Sequence, residues 1–300
     1  MIPFVREFDF EYGRRDQVSP LIQRVVANNP GPFTFTGTGT YIVGRDAPGA
    51  GVAVIDPGPL DEAHLGALMA AVEGRTVSHV LVTHTHRDHA PLARPFAERT
   101  GAVILAMQPP RRETHASGTL DEDEDGTFRP GVILTGGERL EGDGWTITAM
   151  ATPGHASNHM AFGLEEENAL FCGDHVMGWS TTVVAPPDGD MAHYMASVDA
   201  VIAADFATLW PTHGAPVTNP APFLAAYRAH RLEREAQVLA RLAAGDRTIA
   251  AMVPALYAAV DPRLWPAANL SVQAHLIKLV KEGRVAVEGE PTLDAVYAPG

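Results

Sequence analysis

The segment Thr83-His84-Thr85-His86-Arg87-Asp88-His89 gathers four metal-competent side chains, His84, His86, Asp88 and His89, within six residues. Imidazole and carboxylate suit zinc and comparable divalent ions. A lone histidine in a loop is usually a surface residue, but this cluster has counterparts downstream. Pro153-Gly154-His155, Gly173-Asp174 and Thr212-His213-Gly214 each follow an apolar strand candidate, and each has a glycine beside the ligand that permits a tight turn. Alternate side chains of a regular strand take opposite faces, whereas the loop beyond a strand can turn neighbouring imidazoles to one point. Four such strand ends imply one shared metal site.

The elements needed to position those ends are legible as apolar patterns. Val80-Leu81-Val82 is a compact run suited to a buried strand, directly before the histidine cluster. Phe33-Thr36, Tyr41-Val43 and Val52-Ile55 predict an N-terminal meander, and Pro59–Glu73 has Leu65, Leu68, Met69 and Val72 at helical spacing. Trp145–Met150, Met160–Leu164, Ala169–Cys172 and Thr208–Trp210 predict further strands, with a helix over Met191–Ala204. Alternation of strand, helix and strand indicates an α/β layer structure. Residues 221–243, 248–260 and 268–282 read as three helices separated by Gly245-Asp246 and Asp261-Pro262, and Arg284–Glu288 alternates like a strand able to pair with Ala295–Tyr297. Three helices followed by a β-ribbon predict a winged-helix-like appendage. The expected division is therefore a catalytic domain over 1–220 and a C-terminal domain over 221–300.

Bulk properties narrow the function. With 46% hydrophobic and 19% charged residues, the 300-residue chain is globular rather than disordered. Its net charge of −14 is uneven: residues 1–220 carry 13 basic and 28 acidic side chains, residues 221–300 carry 9 and 8. An acidic body repels phosphate backbones and anionic lipid, so a nucleic-acid partner would need local positive potential, from metals or from a small patch such as Lys278, Lys281 and Arg284, which read first as a solvated face. A single cysteine, Cys172, forms no intramolecular disulfide, and its place at the end of an apolar strand marks it as a small buried hydrophobe. The absence of an apolar run long enough to span a bilayer, and the charges within the N-terminal segment, predict an untargeted cytoplasmic protein that does not cross a membrane. Asp121–Asp125 lacks calcium-loop spacing and reads as a solvated acidic loop.

On the His-x-His-x-Asp-His run, the later histidine, the later aspartate and the last histidine, the first 220 residues resemble the metallo-β-lactamase superfamily. The resemblance implies an αββα sandwich and two divalent ions, zinc by preference. His84, His86 and His155 would hold one, Asp88, His89 and His213 the other, and Asp174 would bridge them. It also implies hydrolysis by a hydroxide on the metals, with Asp88 orienting it and carrying a proton to the leaving group. Asn29-Pro30-Gly31-Pro32-Phe33-Thr34, Tyr194-Met195-x-Ser197 and the tail from Ala229-His230-Arg231 to Lys281-Glu282-Gly283 are similar to the group that contains the mitochondrial β-lactamase-like endoribonuclease. Ala90-Pro91 and His175 depart from that group's pattern.

Single-stranded RNA is accordingly the first expected substrate. A small thioester, ester or lactone, cleaved in a glyoxalase II-like manner, is the alternative, with weak β-lactam hydrolysis at most. A binding protein that had lost the site would lack a ligand, and all seven are present. A diiron oxidising site is disfavoured by His86, where such relatives tend to carry a carboxylate. Outside the ligand set, His159 and His175 lie near enough to His155 and Asp174 to orient ligands or meet substrate. His64, His79, His115, His193 and His230 are expected at the surface or satisfied in the core, and His275 packs in the last helix or faces the site. Sequence leaves the oligomeric state open.

Overall fold

The computed structural model describes residues 1–109 and 128–300. His115 and the acidic run Asp121–Asp125 lie outside the described residues. The first sheet consists of β1 (Arg15–Ser19), β2 (Ile22–Val26), β3 (Gly39–Val43), β4 (Gly51–Ile55), β5 (Thr76–Leu81), β6 (Val103–Met107) and β7 (Val132–Leu134), in that spatial order. Its first four strands are antiparallel, and β4 to β7 run parallel. Helices α1 (Glu62–Ala71) and α2 (Ala93–Thr100) make the two parallel crossovers on either side of β5. The second sheet has β8 (Arg139–Glu141), β9 (Thr146–Ala151), β10 (Met160–Leu164), β11 (Ala169–Gly173) and β12 (Thr208–Pro211), ordered β12-β11-β10-β9-β8. Helix α3 (Met191–Ala204) connects the parallel pair β11 and β12.

The layering follows from the period-2 alternation of strand side chains. Tyr41, Val43, Ala53 and Ile55 of the first sheet meet Ile147, Phe162, Phe171 and Trp210 of the second in the central core. The residues between them, Ile42, Val52 and Val54, face outward against Leu65 and Leu68 of α1 and Phe96 of α2. Leu170 and Cys172 face outward under Tyr194 and Val198 of α3. Both faces of each central strand are covered, which explains why those strands read as continuous apolar runs. The result is the expected αββα sandwich. Cys172 is buried in the outer core and its Sγ lies 3.2 Å from the Val176 carbonyl; burial raises its thiol pKa, as expected of a packing residue.

Phe33–Thr36 is not a strand. Its backbone groups bond locally instead, Phe35 N donating to the Gly31 carbonyl at 2.9 Å and the Thr34 carbonyl accepting from Gly37 N at 2.8 Å. Asn29 braces the loop: its carbonyl accepts from Thr34 Oγ1 at 2.6 Å, and its Oδ1 accepts from Thr38 N at 2.9 Å. The chain folds into a tight turn bridged by Gly31 and Phe35, with Phe35 at φ 56°. The meander begins earlier, at β1 and β2. The polar residues Gln23 and Arg24 hid β2 from a pattern search, yet both are buried.

The tail contains α4 (Pro220–Ala243), α5 (Ile249–Leu256), α6 (Trp265–Lys281) and the ribbon β13 (Val285–Val287) with β14 (Tyr297–Pro299). Val238, Leu242, Met252, Val272, Leu276 and Tyr297 form its separate core. Helix α4 serves both cores, because Phe223, Leu224 and Tyr227 lie in the outer core beneath α3. The tail cations do not form an open patch. Lys278 and Arg284 share Glu235, at 2.6 and 2.5 Å, and Lys281 pairs with Asp190 at 2.7 Å. Among the described residues, no helix is long and apolar enough to cross a membrane.

Candidate metal centre

All seven residues expected as ligands converge at the carboxyl ends of β5, β9, β11 and β12 and in the loops that follow. His84 Nε2 lies 2.8 Å from His86 Nδ1, and His155 Nε2 lies 3.2 Å from the same atom. His213 Nε2 is 3.1 Å from Asp88 Oδ2 and 3.4 Å from Asp174 Oδ1. His89 Nε2 stands 3.4 and 3.6 Å from the same two carboxylates. Three sets have ligand atoms within 4.8 Å of one another: His84, His86 and His155; His84, His89 and Asp174; and Asp88, His89 and His213. Six of the seven are buried. Asp88, with a side chain 23% exposed, is the one open to solvent.

The acceptors around the cluster assign the imidazole tautomers. His155 Nδ1 faces the Val183 carbonyl at 2.6 Å, His213 Nδ1 the Gly37 carbonyl at 3.1 Å, and His89 Nδ1 the Asp56 carboxylate at 2.9 Å. His84 Nδ1 lies 3.0 Å from Thr83 Oγ1, whose own proton goes to Asp56. A neutral imidazole that donates through Nδ1 presents a lone pair at Nε2. Four histidines thus aim bare nitrogens inward. Nε2 of His89 and of His213 and Oδ1 of Asp174 are buried without a hydrogen-bond partner. Converging orphaned lone pairs beside two carboxylates fit a cation and little else.

The electrostatics agree with that fit. Burial, reinforced by the neighbouring imidazoles, holds His84 well below the ordinary histidine range, and burial with His155 lowers His86 to about 3. Burial disfavours the Asp174 carboxylate, but His213 and His89 outweigh it and hold the group well below its ordinary value. Burial also lowers His89 and His213, but there Asp88 and Asp174 outweigh it, raising His213 to about 10 and holding His89 well above the ordinary histidine range. The site therefore offers neutral nitrogens at His84 and His86 and ionised oxygens, while at His89 and His213 a metal would take the place of protons.

Asp56 is the functional residue that the sequence reading missed. Wholly buried at the end of β4, at φ 48°, it accepts from Thr83 N at 2.8 Å, Thr83 Oγ1 at 2.7 Å and Thr212 Oγ1 at 3.1 Å, besides His89. One carboxylate ties the β5 loop to the residue before His213, across both sheets. The signal was available: Asp56-Pro57-Gly58 follows an apolar strand in the same setting as the other four sites.

His159 lies behind the cluster, buried, with Nε2 accepting from Asp174 N at 3.1 Å and Nδ1 beside Thr152 Oγ1 at 2.8 Å. His175 is buried against Tyr194, and neither ring nitrogen has a partner; the structure does not bring it to the substrate side. His64 is a buried core residue, its Nε2 3.0 Å from Thr40 Oγ1 and its Nδ1 without a partner. His79 and His230 are half-buried and His193 is exposed, whereas His275 is buried in the tail and does not face the site mouth. Beside His213, Phe35 and Trp179 stack with ring centroids 4.6 Å apart.

The Tyr194-Met195-x-Ser197 motif braces the His155 loop. Ser197 Oγ donates to the Pro153 carbonyl at 2.8 Å, and Asp190 N to the Gly154 carbonyl at 2.9 Å. Gly154 has φ 140°, and a Cβ there would lie 2.3 Å from Tyr194 Cα. Gly154→Ala is therefore expected to destabilise the protein by at least about 2 kcal/mol, from left-handed strain and overpacking against backbone. A urea midpoint within error of the parent protein's would refute this.

Stacked sheets between helix layers, with histidines and aspartates gathered at the strand ends, define a hydrolase whose site can hold a metal. The metallo-beta-lactamase superfamily profile matches residues 34–213, and the chain belongs to that superfamily. The beta-lactamase associated winged helix domain profile matches residues 248–293. The lactamase-like protein adaB of Aspergillus niger is 30% identical over all of this chain and 96% of its own length. An atrochrysone carboxyl ACP thioesterase of Aspergillus chevalieri is 31% identical over 91% of this chain and 85% of its own. Among solved structures, a beta-lactamase domain protein from Burkholderia ambifaria superposes with TM-score 0.80 at 22% identity, over 100% of this chain and 97% of that one. A metallo-beta-lactamase family protein from Thermus thermophilus gives 0.75 at 23%, over 95% and 100%. These curated relatives are lactamase-like and thioesterase proteins of fungi, so the superfamily assignment holds while the narrower likeness to the endoribonuclease group does not follow from them.

Proposed function

We propose that the protein is a metal-dependent thioesterase acting on an acyl thioester, either of a small thiol or of a carrier protein. The observation that carries this reading over RNA cleavage is the pairing of Lys278, Lys281 and Arg284 with Glu235, Glu282 and Asp190, which leaves that tail patch with no net positive charge for a phosphate backbone. The thioesterase names of relatives similar over most of the chain support it.

In this reading His84, His86 and His155 would hold one divalent ion and Asp88, His89 and His213 a second, with Asp174 beside both sets; zinc suits the donor set. Such ions, when bound, supply an acidified water and a Lewis acid for the carbonyl oxygen. The residues of the chain do the rest. Val183, Gly37 and Asp56 hold His155, His213 and His89 in the tautomer that directs Nε2 inward. Asp88, the carboxylate open to solvent, takes the proton of the attacking water and returns it to the departing sulfur, so that thioester and water become acid and thiol.

Zinc-replete protein is expected to hydrolyse an acyl thioester of N-acetylcysteamine, to lose that activity on chelation, and to change rate less than about twofold between about 50 and 200 mM salt. A protein making several phosphate contacts loses about 10³–10⁵ in affinity over that range. Cleavage of single-stranded RNA with such a steep salt dependence, and an untouched thioester, would reverse the assignment.

A further inference from the structure

Between the metal-competent cluster and the tail runs the segment 180–184. On one side it touches the site. The Val183 carbonyl accepts from His155 Nδ1 at 2.6 Å, and Thr182 Oγ1 donates to the Asp174 carbonyl at 2.8 Å. On the other side it is gripped by α4. Arg231 Nη2 donates to the Thr182 carbonyl at 2.5 Å, and Thr182 N donates to the Tyr227 hydroxyl at 2.5 Å. That hydroxyl lies 3.0 Å from Thr182 Oγ1, which completes a run from Tyr227 through Thr182 to the main chain of Asp174.

Arg231 is only 4% exposed. Its guanidinium lies 5.0 Å from the Tyr194 ring centroid and 5.7 Å from that of Tyr227. Among the described residues it has no carboxylate within ion-pair distance, and its Nε is buried without a partner. Burying a cation costs several kcal/mol, and the aromatic faces offset only part of that. Packing between helices needs no donor there; fixing a backbone carbonyl does.

We propose that Arg231 and Tyr227 are positioning residues for the metal centre, holding Thr182 and Val183 so that His155 and Asp174 present their ligand atoms correctly. This rests on the metal-centre reading above. The first tail helix then forms part of the site's scaffold, although it contributes no ligand.

The test uses full-length protein loaded with zinc or cobalt(II). Tyr227→Phe keeps the ring and removes the hydroxyl; Arg231→Met keeps much of the stem and removes the donor. Both are expected to weaken zinc binding about tenfold, the lower end of the effect of outer-shell partners, and to shift the visible bands of the cobalt protein. Arg231→Lys, with a donor retained, should recover part of the loss. Arg234→Ala, which removes a tail contact to the Leu256 carbonyl, should change neither reading. If Arg231→Met does not fold, Tyr227→Phe decides. Unchanged zinc affinity and cobalt bands in folded Tyr227→Phe overturn the proposal, even if its melting temperature falls. Parent protein that binds no zinc overturns the metal centre itself, and the proposal with it.

Discussion

Asp174→Ala protein, purified without chelator, is expected to hold less metal than the parent and to hydrolyse the proposed thioester substrate at least about 100-fold more slowly, since even outer-shell changes cost about 10–100-fold. The reason is position. Asp174 stands 3.4 Å from His213, 3.6 Å from His89 and 3.9 Å from His155, so one carboxylate adjoins imidazoles of both proposed ligand sets. Its removal takes away negative charge from beside Nε2 of both His89 and His213. Asp174→Asn, which keeps the shape without the charge, separates the electrostatic part from packing. His193→Ala, on the exposed face of α3, serves as the control. Elemental analysis and steady-state rates decide the matter; unchanged metal content and turnover in Asp174→Ala would refute the assignment.

Replacing Asp56 should have an effect of similar size by a different route. Asp56→Ala strands the Thr83 amide, the Thr83 and Thr212 hydroxyls and His89 Nδ1 in a dry interior. Each stranded group costs about 1–3 kcal/mol, so a loss of at least about 3 kcal/mol is expected in urea unfolding. Asp56→Asn should be the more stable variant, yet still lose metal. An amide nitrogen turned toward His89 favours the opposite tautomer, with the proton on Nε2, where a metal needs a lone pair. Zinc affinity about 10–100-fold weaker in folded Asp56→Asn is the expected result. Parent-like affinity would show that Asp56 holds the loops together without directing His89.

The layers were legible because most strands covered on both faces are apolar throughout. Met160–Leu164 and Met191–Ala204 stand where the pattern placed them. The helix expected over 248–260 ends at Leu256, beyond Pro254, which brings no backbone donor. The helix expected from Ala268 begins at Trp265, with Pro266 in its first turn. β1, β2 and β8 were not legible, because polar residues interrupt their apolar patterns. The charge of the tail misled for a related reason. Sequence shows Lys278, Lys281 and Arg284 as a basic cluster, but Glu235 lies 43 residues from Lys278 and 49 from Arg284, and Asp190 lies 91 from Lys281.

What the sequence determined by itself is the set of candidate ligand types and their placement after strands, because metal chemistry restricts the donors to a few residues and strand ends are marked by apolar runs. Only the tertiary structure decided which nitrogen of each imidazole faces inward, since the acceptors that fix it lie on Val183, Gly37 and Asp56, brought from other strands and loops. Hydrogen bonds between distant segments have no periodicity. They leave no trace in a chain until its two sheets are stacked.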